Sequence, residues 1–137
     1  MPDHADVDAL RLPPNSLEAD QSVLGGLLLD NEAADKIGDV VTAGDFYSEA
    51  HRIVFDHVAR LIGSGRPADA VTVAESLSSA GKLEHVGGLA YLGALVQSVP
   101  SAANVRHYAQ IVRDRSVLRQ LASTAAEIAE SAYQPMG

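Results

Sequence analysis

Hydrophobic residues recur at spacings of three and four along most of the chain, which is the period of an amphipathic α-helix. The longest such stretch covers residues 101–133 and contains a continuous seam of Leu118, Leu121, Ala125, Ile128 and Ala132. No glycine or proline interrupts it, so we predict one helix about 48 Å long. Such a helix is either buried along its whole length or projects. The preceding segments are short, which favours projection of its second half.

Capping and helix-breaking residues divide the preceding chain into five shorter helices. The first begins after Asn15 or Ser16 and ends near Leu29. Within it, the pair Gly25 and Gly26 is costly for a helix, and predicts that another backbone crosses closely there. The second covers residues 32–40.

The third predicted helix is capped by Ser48 and runs to about Ile62. The fourth is capped by Asp69 or Thr72 and ends near residue 80. The fifth opens at residues 86–88 and ends before Pro100, after which the long helix starts at residue 101.

The fold class predicted is all-α, since no stretch shows strand alternation of useful length. Residues 13–100 form a compact head of about five short helices, and residues 101–134 form one long protruding helix. Residues 1–12 are acidic and lack a hydrophobic period, so we predict a disordered tail.

Composition narrows the functional classes. The chain has 137 residues, 47% of them hydrophobic, which suits one domain with its own core. It has no cysteine, which excludes disulfides and thiolate chemistry. The absence of a signal-peptide pattern, and a longest apolar run of only residues 23–29, predict a cytoplasmic protein that does not enter a membrane.

The formal charge of −8, from 10 basic and 18 acidic residues, argues against a nucleic-acid surface. Arg113, Arg115 and Arg119 are a local exception. Arg115 and Arg119, one turn apart, either meet an acidic partner or, with Arg113, belong to a solvated face interleaved with Asp114, and the second interpretation is favoured. Asp45 is interpreted as a cap or a solvated side chain.

No catalytic or metal-binding set is visible in the sequence. The five histidines lack the spacing of metal ligands, and His51 and His57 lie on different faces of one predicted helix. No serine is placed beside a histidine that could activate it. The chain is therefore interpreted as a binding or assembly module without enzymatic activity or cofactor.

Several short stretches between residue 13 and about residue 134 form one pattern. They are Pro13-Pro14-Asn15, Glu18-Ala19, Leu24-Gly25, Asp45-Phe46-Tyr47, His51-Arg52, Gly87 to Leu92, Val99 to Asn104, Tyr108-Ala109 and Ile111-Val112-Arg113. In this order and spacing they resemble the N-terminal domain of the bacterial replicative hexameric DNA helicase of the DnaB type.

The resemblance implies a helical head followed by a helical hairpin, of which residues 101–134 would be the first arm. It also implies a linker and a RecA-like ATPase domain beyond this sequence, where ATP and magnesium would bind. Expected partners are further copies of the chain, in a dimer or hexameric collar, and the C-terminal domain of a DnaG-type primase. Single-stranded DNA would be contacted only through the full-length ring.

The same resemblance implies a primase or hairpin contact through Tyr91, Ala122 and Ile128, with Leu118 and Leu121 beside them. Because alanine is a small apolar anchor, the contact at Ala122 is weaker or is carried by the two leucines. For Tyr91 the alternative is an ordinary core residue with a tethered hydroxyl. For Ile128 the alternative is packing within the hairpin.

Two other functions compete with the collar interpretation. One is a stand-alone helical adapter or regulatory domain that binds a different protein. The other is an enzyme whose active site forms only in an oligomer. Self-association, primase binding and ATP turnover separate the three.

Overall fold

The structure is a computed structural model that describes residues 12–134, so all but the last residue of the predicted N-terminal tail lies outside it. The described residues form seven α-helices and no strand, which confirms the all-α class. The helices are α1 (Leu17–Leu29), α2 (Ala34–Ile37), α3 (Glu49–Gly63), α4 (Ala70–Ser79), α5 (Leu83–Val86), α6 (Gly88–Gln97) and α7 (Val105–Tyr133). Single 3-10 turns precede α2 at Asn31–Ala33 and α3 at Ala43–Asp45.

Helix α1 is the centre of the head. It packs against α3, α6 and α7, and it is apolar on most of its circumference, as expected for a helix enclosed by others. Its fully buried side chains include Val23, Leu24 and Leu27. The remaining core comes mainly from α3, α4, α6 and the first half of α7, so one continuous hydrophobic cluster holds the head together.

The predicted close crossing at Gly25 is confirmed. A β-carbon there would lie 2.2 Å from the carbonyl oxygen of Leu95 and 2.6 Å from Cγ2 of Val99. Both distances are far below van der Waals contact, so only glycine allows α6 to approach α1 this closely. Gly26 is less tight, with the Val105 side chain 3.5 Å away.

The helix starts are set by side-chain caps. The Ser16 hydroxyl accepts from the Ala19 N–H, and the Ser48 hydroxyl accepts from the His51 N–H. Between the two alternatives for α4, Asp69 is the cap and accepts from the Thr72 N–H. Thr72 takes part as well, because its hydroxyl accepts from the Asp69 N–H and completes a reciprocal capping box.

Two predicted boundaries were wrong. The second helix is shorter than residues 32–40, because the chain first forms a 3-10 turn at Asn31–Ala33 and α2 ends at Ile37. The Asn31 side chain is bound to Ala68: its Oδ1 accepts from the Ala68 N–H and its Nδ2 donates to the Ala68 carbonyl. The long helix begins at Val105, four residues later than predicted. The Ser101 hydroxyl instead accepts from the Ala103 N–H and forms a local turn.

Helix α7 runs antiparallel to α1. Its first residue, Val105, lies against Gly26, and Arg119 reaches the carbonyl of Pro14, just before α1 begins. Its 29 residues correspond to about 43 Å. Beyond Arg119 the helix therefore extends past the N-terminal end of α1, as the sequence predicted.

Candidate partner-binding surface

The part of α7 beyond Arg119 forms an exposed arm. Residues 120–134, which we call the distal arm, are exposed at every position. Leu118, Leu121 and Ile128 are 44%, 63% and 65% exposed. These three, together with Ala125 and Ala132, form the predicted seam, which we call the arm seam. A continuous apolar edge on a projecting helix is the geometry that packs against a second helix.

The first half of α7 is fixed to the head by a buried carboxylate. Asp45 Oδ1 accepts from the Arg113 guanidinium at 2.9 Å and from the Ser116 hydroxyl at 2.7 Å. Its Oδ2 accepts from the Thr42 N–H at 2.8 Å. Asp45 does cap its own 3-10 turn, but the prediction of a solvated side chain was wrong, because it is buried.

The hydrogen bonds decide the charge state of Asp45. Burial raises the pKa of its carboxyl group, but the bonds from Thr42, Ser116 and Arg113 and the Arg113 charge outweigh burial. The net pKa lies below the ordinary value, so the carboxylate is charged at neutral pH. A charged acceptor strengthens each of these bonds and fixes the direction in which α7 leaves the head.

Arg119 makes a second attachment one turn further along. Its guanidinium donates to the carbonyl of Asp45 at 2.6 Å and to the carbonyl of Pro14 at 2.8 Å. It also lies 5.4 Å from the centre of the Tyr47 ring, within cation–π distance. The solvated-face interpretation was therefore wrong for Arg113 and Arg119, because both bind the head.

Ala122 lies where the N-terminal segment meets the arm. It borders a cleft of about 420 Å³ whose other walls are Leu12, Pro13, Pro14, Arg119 and Ser123. A small side chain at position 122 leaves this cleft open. Ala122 is thus exposed on the distal arm and also lines the cleft between α7 and the N-terminal segment.

Tyr91 lies on α6 in the head and is half-buried. Its hydroxyl is 2.5 Å from His51 Nε2 and 3.4 Å from Gln21 Nε2. The tethered hydroxyl is what a core residue would show, yet the side chain is not fully enclosed. The polar contacts of Tyr91 join it to α1 and α3, whereas the other four predicted site residues all lie on α7.

Two features of this surface were missed in the sequence. The partners of Asp45 are 68 and 71 residues away, and those of His51 are 31 and 40 residues away. No local sequence pattern predicts pairs so far apart in the chain. Asp45 lies outside the predicted helices, so helical periodicity gives no signal for its burial.

Between residues 12 and 134, no three His, Asp or Glu side chains lie close enough together to hold a metal ion. Within the same range, none of the helices has the length and apolar character needed to cross a membrane.

A helical head that fixes one end of a long helix and leaves the apolar seam of that helix exposed defines an all-α domain with a projecting helix. The family model described as "DnaB-like helicase N terminal domain" matches residues 12–114. The chain belongs to this family, which confirms the resemblance seen in the sequence.

Relatives and solved structures agree. Over 124 residues the chain is 47% identical to the "Replicative DNA helicase DnaB" of Buchnera aphidicola subsp. Baizongia pistaciae, covering 90% of this chain but only 27% of that relative. The N-terminal domain of DnaB helicase from Mycobacterium tuberculosis has a TM-score of 0.88 and 43% identity, covering 90% of each chain. A DnaB-like replicative helicase, described with its interactions with primase, has a TM-score of 0.74 and 27% identity over 85% of this chain and 27% of that one.

Proposed function

We propose that this chain is the non-catalytic N-terminal collar domain of a replicative DNA helicase. It mediates ring assembly with copies of itself, in dimers and a hexamer, and docks the C-terminal domain of a DnaG-type primase. ATP and magnesium bind in a separate ATPase domain of the full protein, which moves along single-stranded DNA in the cytoplasm. The observation that carries the proposal is the exposed arm seam on a helix anchored at its other end.

Physical chemistry favours a protein partner for this seam. Two large aliphatic side chains on the distal arm, Leu121 and Ile128, are about two-thirds exposed, although burying either against a partner would contribute about 1.5–3 kcal/mol. The surrounding positions Ala122, Ala125 and Ala132 are small and let a second helix approach. The sole charged residues of the distal arm are Glu127 and Glu130, so the surface does not suit phosphate groups.

The relatives support the choice of partner. The structure described with its interactions with primase has this fold at 27% identity. Several copies of a weak contact, held together in one ring, would raise the local concentration of primase without a tight single site. Tyr91 on the head and Ala122 and Ile128 on the arm are the proposed contact residues, with Leu118 and Leu121 beside them.

The experiment is a calorimetric titration of this chain with the primase C-terminal domain. Ile128→Asp and Tyr91→Ala are expected to weaken binding at least about tenfold, because interface residues of this kind cost about 1.4 kcal/mol or more when removed. Val71→Asp is the matched control for Ile128→Asp. Val71 is also 65% exposed and β-branched, but it lies on α4 in the head.

Circular dichroism of each variant establishes that the helices persist. Unchanged binding in both Ile128→Asp and Tyr91→Ala would reject the proposed site. Equal weakening by Val71→Asp would show a nonspecific charge effect instead. ATP turnover by this chain would favour the enzyme alternative, and we expect none.

A further inference from the structure

A buried polar chain connects the two parts of the proposed surface. It begins at Tyr91 on α6, passes through His51 on α3 and Asp20 on α1, and reaches Tyr47 in the loop before α3. Tyr47 in turn lies against Arg119 of α7. We infer that Asp20 and His51 are positioning residues that hold Tyr91 in a fixed relation to the arm. This inference rests on the proposed function for the role of Tyr91.

The direction of each hydrogen bond is assigned with Asp20 as a carboxylate and His51 as a neutral ring. A carboxylate only accepts, so His51 Nδ1 donates to Asp20 Oδ2 across 3.3 Å. In the neutral ring Nε2 then accepts from the Tyr91 hydroxyl across 2.5 Å. The hydroxyl oxygen can accept from Gln21 Nε2 at 3.4 Å. Each group has the partner that its chemistry requires.

Asp20 joins His51 to the Tyr47 loop, and that loop contacts α7. The same Oδ2 that accepts from His51 also accepts from the Tyr47 N–H at 3.2 Å. The Tyr47 ring is 5.4 Å from the Arg119 guanidinium carbon. Arg119 is three residues before Ala122 on the same helix. A displacement of the arm at Arg119 therefore acts on Tyr47 and, through Asp20 and His51, on the Tyr91 hydroxyl.

The other buried histidine shows that this arrangement is more than the satisfaction of polar atoms. His57 lies on the same helix and is equally buried, but its ring makes one hydrogen bond, from Nδ1 to the Ser76 hydroxyl at 2.8 Å. That bond joins α3 to α4 and leads to neither part of the surface. His51 engages both ring nitrogens and connects three helices, which restricts its orientation and that of Tyr91.

The test follows the ring signals of tyrosine by NMR in the intact chain, without primase. The chain has four tyrosines, so selective labelling gives a simple spectrum. Arg119→Gln removes the guanidinium beside Tyr47 and is expected to shift the Tyr47 and the Tyr91 signals. Arg113→Gln is the matched control, because Arg113 also binds Asp45 from α7 but does not contact Tyr47.

In a His51→Gln background, Arg119→Gln is expected to shift the Tyr47 signal alone, because the connection to Tyr91 is broken. His57→Gln is the control substitution in the same helix and is expected to leave the coupling intact. The inference is overturned if Arg119→Gln leaves the Tyr91 ring signal unshifted, or if Arg113→Gln shifts that signal equally.

Primase titration then measures the functional consequence. His51→Gln is expected to weaken binding about fivefold to tenfold, with no further loss when Tyr91→Phe is added, because both remove the same tether. His57→Gln is expected to bind as the parent chain does. If the parent chain itself fails to bind primase, the proposed function fails, while the NMR comparison still decides the coupling. Normal binding by His51→Gln would overturn the positioning role.

Discussion

The two halves of α7 belong to one uninterrupted helix but are covered differently. Residues 105–119 bury Val105, Ala109 and Val112 against the head, and their arginines bind Asp45 and Pro14. Residues 120–134, all within the described part of the chain, are exposed throughout. None of them makes a hydrogen bond to the head like those of Arg113 and Arg119. One end of the helix is therefore a core element, and the other end is a surface available to a partner.

The difference shows how an uncovered helix can persist. An isolated helix of this length is marginal in water because starting a helix is costly. The distal arm avoids that cost, since the anchored half supplies the first turns and the extension only propagates them. Five alanines between residues 122 and 132 favour propagation, because alanine has the highest helix propensity. The seam can thus be displayed in helical form before a partner arrives.

An aspartate introduced into each half of α7 gives the largest predicted contrast in stability. Val112→Asp places a charge in the core and is expected to cost about 4 kcal/mol or more, enough to unfold many domains of this size. Leu121→Asp is expected to change the free energy of unfolding by less than about 0.5 kcal/mol. Urea denaturation of both variants measures the contrast, and similar costs would contradict the division of α7.

Removing the attachment of α7 to Asp45 is expected to have the next largest effect on stability. Asp45→Ala deletes the acceptor for Thr42, Ser116 and Arg113 and is expected to lower the free energy of unfolding by about 3 kcal/mol. Asp39→Ala is the control, because Asp39 pairs with Arg106 of α7 on the exposed surface. That variant should unfold like the parent chain in a thermal melt. A comparable loss in Asp39→Ala would mean that any ion pair to α7 stabilises it equally.

The attachment should also depend on pH. The pKa of Asp45 is lowered in the folded state from an ordinary value of 3.8, so the folded state favours the charged form. Its stabilisation is complete above that value and is lost as the pH falls through the lower, folded pKa. The stability difference between the parent chain and Asp45→Asn should therefore shrink on acidification below pH 3.8.

The pKa of His57 is also shifted in the folded state, so the effect of Asp45 must be measured against a variant that keeps His57. Burial and, secondarily, the charge of Arg60 lower the pKa of this histidine from an ordinary value of 6.5. Its contribution is therefore lost in a window that begins at higher pH, but it is present in the parent chain and in Asp45→Asn alike. A stability difference between the parent chain and Asp45→Asn that stays constant across the acidic range would contradict the charged state of Asp45.

The smallest effect on the head is expected from Leu121→Pro. Proline removes a backbone donor and clashes with the preceding turn, which ends the helix near that position. Circular dichroism should report the loss of the distal arm's helical signal, with the thermal midpoint of the head unchanged. Unfolding of the whole domain would show that the distal arm is a strut of the core.

Local features of the fold were readable from the sequence. Ser48 was identified as a cap from its own neighbourhood, and Gly25 marked the close approach of α6. The seam predicted a projecting helix because its period continued beyond the length that the head could cover. These signals arise within a few residues, which is why the helices and the fold class followed from them.

Long-range pairing was not readable. Asn31 binds Ala68, 37 residues away, and the late start of α7 reflects a turn made by Ser101. The Asp45 attachment and the contacts of His51 likewise depend on which helices become neighbours. Helical periodicity assigns a residue to a buried face but does not choose its partner, so only the tertiary structure reveals these contacts.

Hydrogen exchange of the amides in α7, with and without the primase C-terminal domain, tests the central claim most directly. In the chain alone, residues 105–119 should be protected and residues 120–133 should exchange fast, because only the first group is packed. Added primase should slow exchange in the distal arm and around Tyr91, and leave α4 unchanged. Binding of primase without any added protection in the distal arm would contradict the account.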